Sequence, residues 1–259
     1  AGPAILSISL SAHDYISHSF GPESRMTHDH LLQLDRQLAA FFAELDRRVG
    51  KDRYVLLLSA DHGFTDTPEW AQQQGRAAGR LNPARLLGEL DQELATRFGV
   101  AKLARSLSAG GVLLNEALIA EQGLDPAVVA QAGAEALRRV DGVAAAYSAA
   151  ELDGAAPADA AARAVWNALR LARHPVRSPR LMFALHDGWL LGSRLVGATH
   201  GNPYASDQHV PLLTWGPRWF RPGRVDRRVS VYDIAPTVAE LLALPAPAQS
   251  QGRPLPRGR

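Results

Sequence analysis

Three polar clusters carry the residue types that bind divalent metal ions. The stretch AHDYISH sets Asp14 and His18 four residues apart with His13 beside them. SADHG sets Asp61 against His62, and GATHGN carries His200. Carboxylate oxygen and neutral imidazole suit zinc and similar ions. A D-x-x-x-H spacing puts both side chains on one side of a helical turn, so Asp14 and His18 can reach one ion. Neighbouring Asp61 and His62 can converge on an ion only from an irregular loop, and Gly63 supplies the backbone freedom such a turn needs. Each pattern is weak alone, because D-x-x-x-H recurs by chance, an Asp before a helix is a cap, and a single loop histidine is usually solvated. All three at the ends of expected strands make a metal site the better reading, since ligands of open α/β sheets collect at the carboxyl ends of strands. His209 opens a strand close to His200 and competes with it as a ligand; the HGN turn favours His200. The other histidines read more plainly: His13 as a bystander, His28 and His30 as solvated at a helix start, and His174 and His186 as loop and turn residues.

The elements that must position these groups alternate between strand and helix. AILSISL (4–10) and RYVLLLSADHG (53–63) are apolar runs of the kind found in strands covered on both faces. Between them, 27–50 carries Leu31, Leu34, Leu38, Phe41, Phe42 and Leu45 at helical spacing, with Thr27 as N-cap and Gly50 as C-cap. That order predicts a βαβ unit and a parallel sheet. Further on, helices are expected over 82–99 and 125–140, strands over 110–115 and 142–148, and an Ala-rich helix over 154–164. A hairpin is expected over 180–193, turning at Asp187-Gly188. Near the end stand a strand within 209–217, a helix over 230–244 packed by Ile234, Val238, Leu241 and Leu242, and an irregular Pro-rich tail. The expected fold is α/β: an αβα sandwich with a largely parallel central sheet, incomplete on its N-terminal side. Residues 1–70 and 190–259 form the metal-binding core, and 71–189 an accessory or inserted α+β region.

The 259 residues carry a formal charge of +2, with 46% hydrophobic and 21% charged residues, an ordinary globular balance. The basic residues are scattered, which argues against nucleic acid as a specific partner. There is no cysteine, which excludes disulfides and thiolate metal sites. No apolar stretch reaches membrane-spanning length. The chain opens directly in strand-like sequence without a signal peptide, which reads as a fragment lacking its upstream part. A sheet without its first strand leaves a bare edge, so an oligomer through that edge is expected.

Four stretches in order, LSISLSAHDYISHSFGPES, LDRQLAAFFAELDRRVGKDRYVLLLSADHG, THGNPYASDQHVPLLTWGP and VYDIAPTVAELLAL with GRPL, resemble the carboxyl-terminal part of the alkaline phosphatase superfamily. The branch is that of bacterial alkaline phosphatases similar to type I phosphodiesterases and nucleotide pyrophosphatases. The resemblance covers 4–70 and 195–255 and is weaker between them. It implies two zinc ions, with other divalent metals as substitutes. Asp14, His18 and His200 would hold one, and Asp61 and His62 would sit on the other. It also implies a Thr or Ser nucleophile and one more Asp, both upstream of the matching region. Thr27 and Thr65 do not stand in that context, so no catalytic nucleophile is assigned here. The implied activity is hydrolysis of small phosphate esters, monoester or diester, by the full-length periplasmic or secreted enzyme, with this fragment inactive alone. The alternatives are a related transferase, mutase or sulfatase, and a non-catalytic metal-binding domain.

Overall fold

The computed structural model describes residues 2–108, 110–193 and 196–257. In chain order the elements are α1 (Ala12–Phe20), α2 (Arg25–Val49), β1 (Leu56–Ser59), α3 (Pro68–Gln73), β2 (Gly79–Leu81), α4 (Pro83–Phe98), β3 (Ala104–Ser108), β4 (Gly111–Leu114), α5 (Glu116–Glu121), α6 (Pro126–Leu137), β5 (Val143–Ser148), α7 (Ala149–Asp153), α8 (Ala160–Ala172), β6 (Leu181–Leu185), β7 (Trp189–Leu191), α9 (Ala205–Gln208), β8 (Leu212–Trp215) and α10 (Ile234–Leu241). They fall into two units. One comprises Ala1–Asp14, His28–Gly63 and His209–Arg259, the other Tyr15–Thr27 and Phe64–Gln208.

The second unit is built on an antiparallel sheet of order β3-β4-β6-β5. All five residues of β6, LMFAL, are buried. Successive side chains of a strand point to opposite faces, and here each face has its own helical cover. Leu181, Phe183 and Leu185 share a core with Leu86, Leu90 and Leu94 of α4 and Val129 and Leu137 of α6. Met182 and Ala184 share another with Leu152 of α7 and Trp166 and Leu169 of α8. A strand covered twice has no place for a polar residue, which explains its unbroken apolar sequence. Local chemistry sets the helix ends. Asn82 accepts from the Ala84 and Arg85 N–H groups before Pro83, and Gly99 at φ 71° closes α4. Asp125 caps α6 ahead of Pro126, and a Ser148–Glu151 capping box opens α7. Such caps each stabilise by about 1 kcal/mol.

In the first unit, β1 and β8 pair antiparallel, from Leu56 opposite Trp215 to Ser59 opposite Leu212. Gly50, at φ 99°, closes α2 by donating its N–H to the Asp46 carbonyl. Asp233 accepts from the Ser230 and Arg253 N–H groups, and the Thr237 hydroxyl accepts from Leu255 N–H, so the Pro-rich tail is tied to the start of α10. Ile5, Leu6, Ile8, Leu31, Leu32, Phe41 and Leu213 are all exposed.

The α/β class and the alternation hold, but the pairing departs from expectation. Among the described residues only β2 and β7 pair in parallel. Residues 4–10 form no regular element and join no ladder, so no βαβ unit forms around α2. A strand exists only by bonding to a neighbour, and β1 takes β8 instead. β6 and β7 do not pair with each other across Asp187-Gly188. They enter different sheets, so the expected hairpin is a turn between sheets. The Ala-rich helix starts at Ala160 rather than 154, because Asp159 caps it there. Thr27 lies inside α2 rather than at its cap; Ser24 accepts the Thr27 N–H, and the Thr27 hydroxyl donates to the Gly21 carbonyl.

Candidate metal centre

α1 carries Asp14 in its first turn and His18 in its last. His18 is fixed by a reciprocal pair of bonds. Its Nδ1–H donates to the Ala198 carbonyl at 3.0 Å, and its own carbonyl accepts the Ala198 N–H at 3.2 Å. A carbonyl can only accept, so the proton is on Nδ1 and the lone pair on Nε2. This is the orientation that a ligating histidine's outer partner provides. Gly197 makes the approach feasible. It adopts φ +85°, and a Cβ there would lie 2.2 Å from the His18 carbonyl oxygen.

His200, two residues beyond Ala198, stacks obliquely on His18 with ring centroids 5.1 Å apart. Phe64 meets both imidazoles edge-on, at 4.9 Å from His18 and 5.2 Å from His200. Asp14 stands one turn before His18 in the same helix. His18 and His200 each offer a ligand atom, within 4.8 Å of each other. Two imidazoles and a carboxylate are a zinc-type donor set with a coordination position to spare. Beside His18 a cavity of about 310 Å³ is lined by Arg80, Leu191, Gly197 and Thr199 among others. Arg80 is clamped there by Glu69 and donates to the Gly197 carbonyl.

In the SADHG loop, His62 Nδ1–H donates to the Gly63 carbonyl at 2.9 Å, which again places the lone pair on Nε2. That nitrogen lies 3.8 Å from Asp14 Oδ1 and 3.6 Å from Asp61 Oδ2. The Asp61 side chain is 90% exposed. His13 is half-buried and stacks on His30 at 5.5 Å, so His30 is not simply a solvated residue. Burial, then the neighbouring His30, hold the His13 imidazole below its ordinary pKa, against the opposing pull of Asp14.

His209 is exposed and stands outside the group formed by Asp14, His18 and His200. His174 accepts the N–H groups of Val176 and Arg177 and so shapes a turn. Thr27 and Thr65 are committed elsewhere. Thr27, 2% exposed, donates to the Gly21 carbonyl at 2.7 Å, and Thr65, equally buried, donates to Asp207 at 2.9 Å. Phe64, Gly197 and Asp207 went unnoticed in the sequence. Only Gly197 left a signal there, as a glycine two residues ahead of a loop histidine pattern.

Residues 2–203 match the model of the type I phosphodiesterase / nucleotide pyrophosphatase family. A protein of Myroides odoratus named calcium-transporting ATPase is 34% identical over 253 residues, covering 96% of this chain and 45% of that protein. Alkaline phosphatase PafA of Elizabethkingia meningoseptica is 29% identical over 256 residues, covering 96% of this chain and 45% of PafA. A crystal structure of wild-type PafA superposes with a TM-score of 0.85 over 95% of this chain and 46% of the other. The chain thus spans less than half the length of these relatives. The chain belongs to the type I phosphodiesterase / nucleotide pyrophosphatase family.

Proposed function

We propose that the chain is the metal-holding part of a two-metal hydrolase acting on small phosphate esters. Asp14, His18 and His200 hold one divalent ion, zinc by the chemistry of the donors. Asp61 and His62 face a second. The observation that carries this reading is the meeting of two imidazoles from distant parts of the sequence, one of them a helical turn from Asp14, with the His18 tautomer set for ligation by Ala198. The likeness to PafA, which bears the name alkaline phosphatase, supports the reaction class. When bound, such ions polarise a phosphoryl oxygen and make water acidic enough to act as a nucleophile.

The chain's own residues supply binding and orientation. The Ala198 and Gly63 carbonyls keep His18 and His62 in the Nε2-ligating tautomer, and Phe64 covers the edges of the His18–His200 pair. Both imidazoles must be deprotonated to bind, so metal occupancy falls on acidification. The family resemblance implies a hydroxyl nucleophile from outside residues 1–259, in keeping with Thr27 and Thr65 being buried and already donating to Gly21 and Asp207. The complete enzyme works in the periplasm or outside the cell. Among the described residues no helix is long and apolar enough to cross a membrane.

The test is metal titration of the purified chain, followed by Co²⁺ absorption or Zn²⁺ calorimetry. His200→Ala is expected to weaken binding at least about tenfold, and His209→Ala to leave it unchanged; the reverse would overturn the ligand set. Turnover of p-nitrophenyl phosphate by this chain with added zinc is expected to be negligible, and robust hydrolysis would refute the external nucleophile.

A further inference from the structure

We infer that Asp207 is the positioning residue that holds the His200 loop in its ligand-presenting form, acting through backbone bonds on both sides of the histidine. Asp207 is a carboxylate only 4% exposed, standing in the one-turn helix α9. Its Oδ2 accepts the N–H groups of Gly201 and Asn202, both at 2.8 Å, the two residues after His200. Its Oδ1 accepts the hydroxyls of Thr65 at 2.9 Å and Ser206 at 3.2 Å. Thr65 then closes the circuit on the other side of His200, since its N–H donates to the Thr199 carbonyl at 3.3 Å. The Asn202 side chain donates to the Trp189 carbonyl at 3.1 Å and reaches Thr65 Oγ1 at 3.4 Å. Thr65 also follows Phe64, the ring lying against both His18 and His200.

A buried carboxylate is tolerated only when its oxygens are satisfied, and here four donors converge on it. Three of those donors belong to the two loops that carry His200 and Phe64, and the fourth, Ser206, to α9 itself. None of these bonds involves an imidazole, and through them Asp207 acts by setting the path of the backbone between Thr199 and Asn202. Outer partners of ligating residues typically change metal affinity by about 10- to 100-fold when removed. Asparagine at 207 keeps one oxygen for the Gly201 and Asn202 amides and can donate to Thr65, whereas alanine removes every acceptor.

The inference rests on the metal-site reading, and the experiment separates the two. Co²⁺ titration of the full chain is run on wild type, His200→Ala, Asp207→Ala, Asp207→Asn and Thr65→Val, with amide hydrogen exchange on the same samples. Asp207→Ala is expected to weaken Co²⁺ binding about 10- to 100-fold, distort its visible spectrum and strip protection from the Gly201 and Asn202 amides. Asp207→Asn is expected to restore binding to within a few-fold of wild type, a rescue that loss of packing alone would not show. Thr65→Val is expected to fall between them, and it carries the test if Asp207→Ala fails to fold. Wild-type affinity, spectrum and amide protection in Asp207→Ala or Thr65→Val would overturn the inference. Equal binding by wild type and His200→Ala would overturn the metal reading instead, and the amide exchange would still decide whether Asp207 orders the loop.

Discussion

The two units contain similar apolar sequence and treat it in opposite ways. In the second unit, β6 is buried residue by residue between α4 and α6 on one face and α7 and α8 on the other. Both apolar cores of the described residues lie wholly in that unit. In the first unit, α2 runs 25 residues with a recognisable apolar stripe, yet Leu31, Leu32 and Phe41 of that helix are exposed. Ile5 and Leu6 are more than 70% exposed. Apolar periodicity therefore states what an element needs to bury, and says nothing about whether a cover is at hand. Where the cover is encoded nearby, as α4 and α6 are for β6, the element is buried. Where it is not, a helix still forms from its internal hydrogen bonds, but a strand such as 4–10 does not, because its bonds must come from a neighbour.

Substitutions in the two units should expose this contrast. The largest effect is expected from Phe183→Ala, which opens a cavity in the sheet core and costs about 3–5 kcal/mol in chemical denaturation. Leu31→Ala in α2 should stay within about 0.5 kcal/mol, as surface changes do. Comparable losses at both positions would mean that α2 is covered in solution. Next in size is Gly197→Ala. The left-handed φ and the collision with the His18 carbonyl together should cost about 1–3 kcal/mol, read as a lower melting temperature together with weaker metal binding. A neutral outcome would show that the His18–Ala198 contact is adjustable. The smallest stability effect is expected from Ile5→Lys with Leu31→Lys. These should change the unfolding free energy little, yet abolish the concentration-dependent association expected of exposed apolar residues and open β1 and β8 edges. Sedimentation showing a clean monomer of the unmodified chain at high concentration would contradict that expectation.

Much of the fold was legible because its signals are local. Asn82-Pro83, Asp125-Pro126 and Gly50 mark helix ends by capping chemistry that needs no tertiary partner. The apolar runs 56–59, 111–114, 143–148 and 212–215 were recognisable as strands by composition alone. Pairing was not, since β1 joins β8 across more than 150 residues and β6 and β7 part company after a turn that looks like a hairpin. Nothing local distinguishes a Gly turn within one sheet from one that passes between two.

The site divides along the same line. The sequence by itself determined the candidate donors, Asp14 and His18 one helical turn apart, the Asp61-His62 pair and His200, because ligand chemistry is a property of residue type and helical spacing is a property of the backbone. Only the tertiary structure decided that His200 rather than His209 meets His18, that Ala198 sets the His18 tautomer, that Phe64 lies across both rings, and that a buried Asp207 grips the loop between them. Those relations link residues 18, 64, 198, 200 and 207, and a contact between positions so far apart in the chain is fixed by packing rather than by anything written beside either residue.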